Sequence, residues 1–96
     1  MIEKYKEEIC EELEGAKNYA ECYVDCKVRG SAHATKYKEM AAEELKHAGY
    51  LYDMAGKYVE EMKKAITIPE EMKRTWEECT SVYVCKSSQA KQMLTL

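Results

Sequence analysis

The stretch KVRGSA at residues 27–32 decides how this chain folds, because it separates two long segments of helical periodicity. Gly30 suits the position just after a helix end, where the backbone turns left-handed. Ser31 suits the N-cap of a following helix. Since so short a connection brings two helices back alongside each other, the sequence predicts an antiparallel helical hairpin.

A third helix is expected after this hairpin. The β-branched segment 65–68 ends the second helix, and Pro69 suits the first position of the next one, with Glu70 and Glu71 in its first turn. A chain of 96 residues makes a single domain, residues 1–96, and its composition favours an all-α fold. The predicted helices span about residues 2–29, 32–64 and 69–93.

Charge and hydropathy narrow the function classes. The net charge is −3, and Lys and Glu alternate without forming a basic block, so we expect no nucleic-acid partner. No apolar run approaches the roughly 20 residues that span a bilayer. The charged start of the chain lacks an apolar signal core, which predicts a cytoplasmic protein without a membrane partner.

Five cysteines are present, and none forms a C-x-x-C pair of the zinc-ribbon or redox type. Cys22 and Cys26 lie four residues apart on the first helix, a spacing that either holds a metal or simply packs. In a reducing compartment we expect free, half-buried thiols. Zinc or redox chemistry at this pair is the alternative.

Each of the first two helices has one carboxylate on its apolar stripe. These are Glu12 and Glu44, and a Glu in a helix–helix core costs several kcal/mol unless it is paired, protonated or bound to a cation. The stripes run through Ile9, Ala16 and Tyr19 in the first helix and through Ala41, Ala48 and Leu51 in the second. The sequence therefore predicts that both carboxylates face the seam between the helices.

His47 follows Glu44 by one turn on the same side of the second helix. A Glu-x-x-His pair on a helix can place a carboxylate oxygen and an imidazole nitrogen on one metal ion. Mixed carboxylate and imidazole ligands suit iron or manganese, and zinc is also compatible. Glu12, Glu44 and His47 are therefore the candidate metal ligands.

The same residues allow simpler interpretations. A Glu-x-x-His pair arises by chance in a helix rich in Glu and Lys, and His47 would then be a surface residue paired with Glu43. A small shift in the facing side of the first helix would put Glu11 or Glu14 on the seam in place of Glu12. The pattern by itself leaves these readings open.

Two short motifs resemble the ferritin-like superfamily, most closely its bacterioferritin and rubrerythrin types. The segment ELEGAKNY at 12–19 resembles the family's Glu followed seven residues later by Tyr, and EELKHA at 43–48 resembles its Glu-x-x-His-Ala turn. The resemblance implies roles for four residues: Glu12 as terminal ligand, Glu44 as bridging ligand, His47 as nitrogen ligand, and Tyr19 as a hydrogen-bond donor or redox partner.

The chain departs from this family in its third helix, which contains no His. A full-length ferritin-like monomer has four helices and two complete ligand sets. Two copies related by a two-fold axis would supply both sets, as in the half-length encapsulated ferritins that the chain resembles. The resemblance therefore implies a four-helix bundle formed by a homodimer or a higher homo-oligomer. The third helix would lie outside the bundle or across the dimer, with Glu78 and Cys79 as further candidate ligands.

Two hypotheses about function follow. The resemblance implies a di-iron oxidoreductase of ferroxidase or peroxidase type, with iron oxidation or handling ranked first. Because the cysteines do not supply a rubredoxin-like site, the electron-transfer partner would be a separate protein. The alternative is a metal-free helical interaction or accessory protein that retains the bundle without the chemistry.

Overall fold

The computed structural model describes all 96 residues and contains three helices and no strand. The helices are α1 (Ile2–Val28), α2 (Ala34–Ala65) and α3 (Glu70–Met93). The predicted all-α class is confirmed. α1 and α2 form an antiparallel hairpin, and α3 runs parallel to α1 and packs mainly against it. None of the helices combines the length and the apolar character needed to cross a membrane.

The turn of the hairpin is a Schellman motif centred on Gly30. Gly30 has φ +70° and is the one residue of the chain with a left-handed backbone. Its N–H donates to Lys27 O at 3.1 Å, and the N–H of Ser31 donates to Cys26 O at 2.8 Å. These two bonds satisfy carbonyl groups that the end of α1 would otherwise leave unpaired. The predicted role of Gly30 is therefore confirmed.

Two helix starts differ from the sequence prediction. Ser31 does not cap α2, because it already closes the Schellman motif; its hydroxyl accepts the His33 N–H at 3.2 Å, and α2 begins at Ala34. Pro69 precedes α3, which begins at Glu70. Both corrections move a boundary by one or two residues and leave the hairpin unchanged.

Small side chains on α2 allow α1 to approach closely. Ala41, Ala48 and Ala55 are completely buried, and they lie seven residues apart on one stripe. The main core cluster combines two of these alanines with large side chains of α1 and with Cys79 of α3. Burial raises the pKa of the Cys79 thiol, so this thiol stays protonated. The cluster consists of Ile2, Ile9, Leu13, Ala48, Ala55, Val59, Ile68 and Cys79.

An aromatic stack joins α2 to α3. The Tyr52 ring lies between Trp76, at a centroid distance of 5.1 Å, and Tyr83, at 4.3 Å, and both pairs are nearly parallel. Gly49 faces the Tyr83 hydroxyl and Gly56 faces the Trp76 ring, so α2 presents no side chain at either point. Trp76 and Tyr83 therefore form a packing surface that fixes α3 on one side of the hairpin.

Replacing Gly30 with Ala is expected to destabilise the protein by about 1 kcal/mol, because a left-handed backbone is unfavourable for a residue with a Cβ. No atom lies within 4 Å of the position that this Cβ would occupy, so the loss is purely conformational. Urea unfolding measures it. Gly30→Asn is the control and should lose less, and an unchanged stability of Gly30→Ala would contradict the assignment.

Replacing Tyr52 with Ala is expected to lower the free energy of unfolding by about 2–3 kcal/mol. This is somewhat less than the decrease caused by removing a fully buried aromatic side chain. Tyr52→Phe keeps the stack and removes only the hydrogen bond to Thr80 Oγ1 at 3.2 Å, so about 1 kcal/mol should be lost. Chemical denaturation of both variants compares these losses. Equal losses would mean that the stack itself contributes nothing.

Candidate metal centre

Glu12 of α1 and both Glu44 and His47 of α2 lie together near the middle of the hairpin. One ligand atom from each residue lies within 4.8 Å of the other two. His47 Nδ1 is 3.6 Å from Glu12 Oε2. No other group of three His, Cys, Asp or Glu side chains in the chain is close enough to share a metal ion. The structure thus brings together the three residues selected from the sequence.

The register of the hairpin decides which residues meet. Glu12 lies level with His47, which is almost as far beyond the Gly30 turn as Glu12 is before it. Glu44 lies opposite Gly15, and its carboxylate rests against the backbone of α1. The two carboxylates therefore approach the site from different helices, and the imidazole lies at the level of Glu12.

The site opens on the side of the hairpin that α3 does not cover. Tyr52 of α2 faces α3, whereas His47, Leu51 and Met54 follow a separate stripe on the other side of α2. The Glu12 side chain retains 29% of its accessible surface, and the His47 side chain retains 50%. Both are thus accessible to an ion or a second molecule while remaining anchored in the hairpin.

A shallow groove of about 290 Å³ continues from the site along the same face. Exposed apolar side chains lie on this part of α2, including Met40, Tyr50 and Met54. This face, defined by Glu12, Glu44, His47 and these three apolar residues, is called the open face below. The groove is lined by Met1, Lys4, Tyr5, Glu8, Leu51 and Met54.

The site contains two carboxylates and too few positively charged groups to balance them. The neighbouring Glu12 raises the pKa of Glu44, because a protonated Glu44 can donate a hydrogen bond to it; burial adds to this increase and His47 opposes it. Neither carboxylate forms an ion pair with a Lys or Arg, and the one potential cation within 4.0 Å of Glu12 is His47. A metal ion would supply the missing charge.

Comparison of the chain with protein-family models, with curated proteins and with solved structures found no match. The ferritin-like resemblance thus stays an expectation from the motifs around Glu12 and Glu44. The chain itself offers a metal ion three donor groups, two carboxylates and an imidazole. This donor set fits iron, manganese or zinc.

The other candidate residues lie outside this group. Tyr19 packs beside Tyr37, with ring centroids 6.3 Å apart, and it forms no hydrogen bond with a ligand residue. Glu78 pairs with Lys6 at 2.8 Å, and Cys79 is buried in the core between α1 and α3. Neither one joins the metal ligands, since both lie at the α1–α3 contact.

Cys22 and Cys26 form no disulfide, and neither belongs to a group of three side chains that could hold a metal ion. Cys22 is half-buried and Cys26 is buried, with the Arg29 guanidinium 3.9 Å from its sulfur. The pair therefore packs near the end of α1. A zinc site at this point has no further ligand in the chain.

Replacing Glu44 with Gln is expected to stabilise the metal-free protein at pH 7. Because folding raises the pKa of Glu44, its favourable contribution is present below the reference value of 4.5 and is lost as the pH rises through the folded-state pKa. Glutamine stays neutral, so the advantage of the variant should shrink as the pH falls towards 4.5. Urea unfolding between pH 4 and pH 8, with a chelator present, measures this.

Glu43→Gln is the matched control for that series, since Glu43 is the exposed neighbour on the same helix. It should change the stability by less than Glu44→Gln does at pH 7. A Glu44→Gln variant that is less stable than the wild type at pH 7, or whose advantage does not depend on pH, would contradict the unfavourable carboxylate pair.

Proposed function

We propose that this protein binds a divalent transition metal ion, iron in the first place, through Glu12, Glu44 and His47. The observation that carries the proposal is the pair of carboxylates without a Lys or Arg partner, placed beside an imidazole that faces the same point. Both carboxylates are half-buried, and such partly desolvated charges are tolerated better when a cation compensates them. Manganese and zinc suit the same ligands.

Each residue has a defined part in this proposal. Glu44, whose carboxylate rests against α1, is the candidate bridging ligand; Glu12 is the candidate terminal ligand, and His47 the nitrogen donor. Bound iron supplies one-electron chemistry between its ferrous and ferric states. Binding requires an ionised Glu44 and a neutral His47, so it releases protons and weakens at low pH.

A homodimer completes the proposed site. One chain supplies two carboxylates and one imidazole, whereas a di-iron carboxylate site of the four-helix type uses four carboxylates and two imidazoles. A second copy placed on the open face about a two-fold axis would supply the remaining three ligands. That arrangement would also cover Met40, Tyr50 and Met54, which the single chain leaves exposed.

The proposed activity is oxidation or handling of iron, ranked above peroxide reduction. Tyr19 is the candidate redox side chain, because it follows Glu12 by two turns on the same side of α1 and has a second oxidisable ring, Tyr37, beside it. The chain has no second group of three side chains that could hold a redox metal, so in the peroxidase alternative electrons would come from a separate electron-transfer partner.

The purified protein is expected to hold about one iron, manganese or zinc ion per chain and to have the mass of a dimer or of a larger even-numbered oligomer. Elemental analysis combined with light scattering measures both quantities. His47→Ala should lose the metal, and His33→Ala, which removes an exposed His at the start of α2, should keep it. Saturation at 100 times the Kd should raise the stability by about 2.7 kcal/mol.

A metal-free monomer would overturn this proposal and favour the helical interaction or accessory protein. In that case Glu12→Ala combined with Glu44→Ala should raise the melting temperature, because it removes two half-buried carboxylates that have no Lys or Arg partner. Under the metal proposal the same double variant should lose the ion and melt below the metal-loaded wild type.

A further inference from the structure

Gly15 lies in the interior of α1, three residues after Glu12. A glycine inside a helix lowers the stability by roughly 1 kcal/mol relative to alanine. A structural role for Gly15 would offset this loss. Its backbone is ordinary α-helix, since Gly30 is the chain's one glycine with positive φ. Conformational freedom is therefore not what Gly15 provides.

The space beside Gly15 is filled by the proposed bridging ligand. A Cβ at this position would lie 3.1 Å from Glu44 Oε2, 3.4 Å from its Cδ and 3.5 Å from its Cγ, and these are the three nearest atoms. The first of these distances is shorter than about nine in ten of the contacts that Cβ atoms make. A side chain at residue 15 would therefore displace the Glu44 carboxylate by a few tenths of an ångström.

We propose that Gly15 is a positioning residue for the metal ligand Glu44. The missing side chain leaves a notch in α1, and the Glu44 carboxylate lies in this notch beside Glu12, which projects one turn earlier from the same side of the helix. This inference rests on the proposed function. Metal sites hold their ligands within about 0.5 Å of the productive geometry, so a shift of a few tenths of an ångström uses up much of this tolerance and weakens binding.

Substitution at Gly15 should affect stability and metal binding differently, because the group that it displaces is the end of the flexible Glu44 side chain. Alanine at position 15 should move the Glu44 carboxylate without pushing the helices apart. It should also favour helix formation. The metal-free protein should therefore become more stable while metal binding becomes weaker, a combination that general damage to the fold does not produce.

The test compares Gly15→Ala with Gly56→Ala in a titration with Co²⁺ followed by visible absorption. Gly56 is the matched control, since its Cβ would lie 3.6 Å from the Trp76 ring, an ordinary contact far from the ligands. Both variants should melt at a higher temperature than the wild type. Only Gly15→Ala should bind Co²⁺ more weakly, by about tenfold, the lower end of the losses caused by changes to the surroundings that orient a metal ligand. Unchanged affinity in Gly15→Ala would overturn the inference.

A second measurement, on the chelator-treated protein, decides the role of Gly15 without any metal. The rise in melting temperature from Gly15→Ala should be larger in a Glu44→Ala background than in the wild type, because the crowded carboxylate is then gone. Equal rises would show that Glu44 does not occupy the notch and would overturn the inference. A wild-type protein that binds no Co²⁺ would refute the proposed function, while this comparison would still decide the placement of Glu44.

Discussion

The register between α1 and α2 is the constraint on which the remaining structure depends. The Schellman turn at Gly30 starts the hairpin, and the completely buried stripe of Ala41, Ala48 and Ala55 lets α1 pack closely along α2. That register places Glu12 level with His47 and Glu44 against Gly15. A shift of one helical turn would separate these side chains by about 5.4 Å, and the cluster of possible ligands would no longer exist.

α3 completes the core and at the same time leaves the site accessible. The stack of Tyr52 with Trp76 and Tyr83 holds α3 on one side of the hairpin, and the ligand cluster opens on the other side. A single chain thus has one covered and one open face. The open face combines two carboxylates that lack a Lys or Arg partner with exposed apolar side chains, and the proposed metal ion and second copy would bind there.

Much of the fold and of the candidate site could be predicted from local signals. Gly30 marked the turn, and helical periodicity placed Glu12, Glu44 and His47 on facing stripes. The sequence predicts α2 to begin two residues too early, because Ser31 closes the end of α1 and does not cap α2. The approach of Glu44 to Gly15 could not be predicted, since it depends on the register between helices. The one indication of this contact in the sequence is the glycine inside α1, where a glycine is unfavourable.

Mössbauer spectroscopy of protein loaded with ⁵⁷Fe tests whether two chains together hold two iron ions. After oxidation in air, we expect spin-coupled pairs of ferric ions with a diamagnetic ground state, one pair per two chains. Isolated paramagnetic ferric ions, or iron that is removed by gel filtration, would rule out the proposed dimer site, because Glu12, Glu44 and His47 would then act singly or not at all.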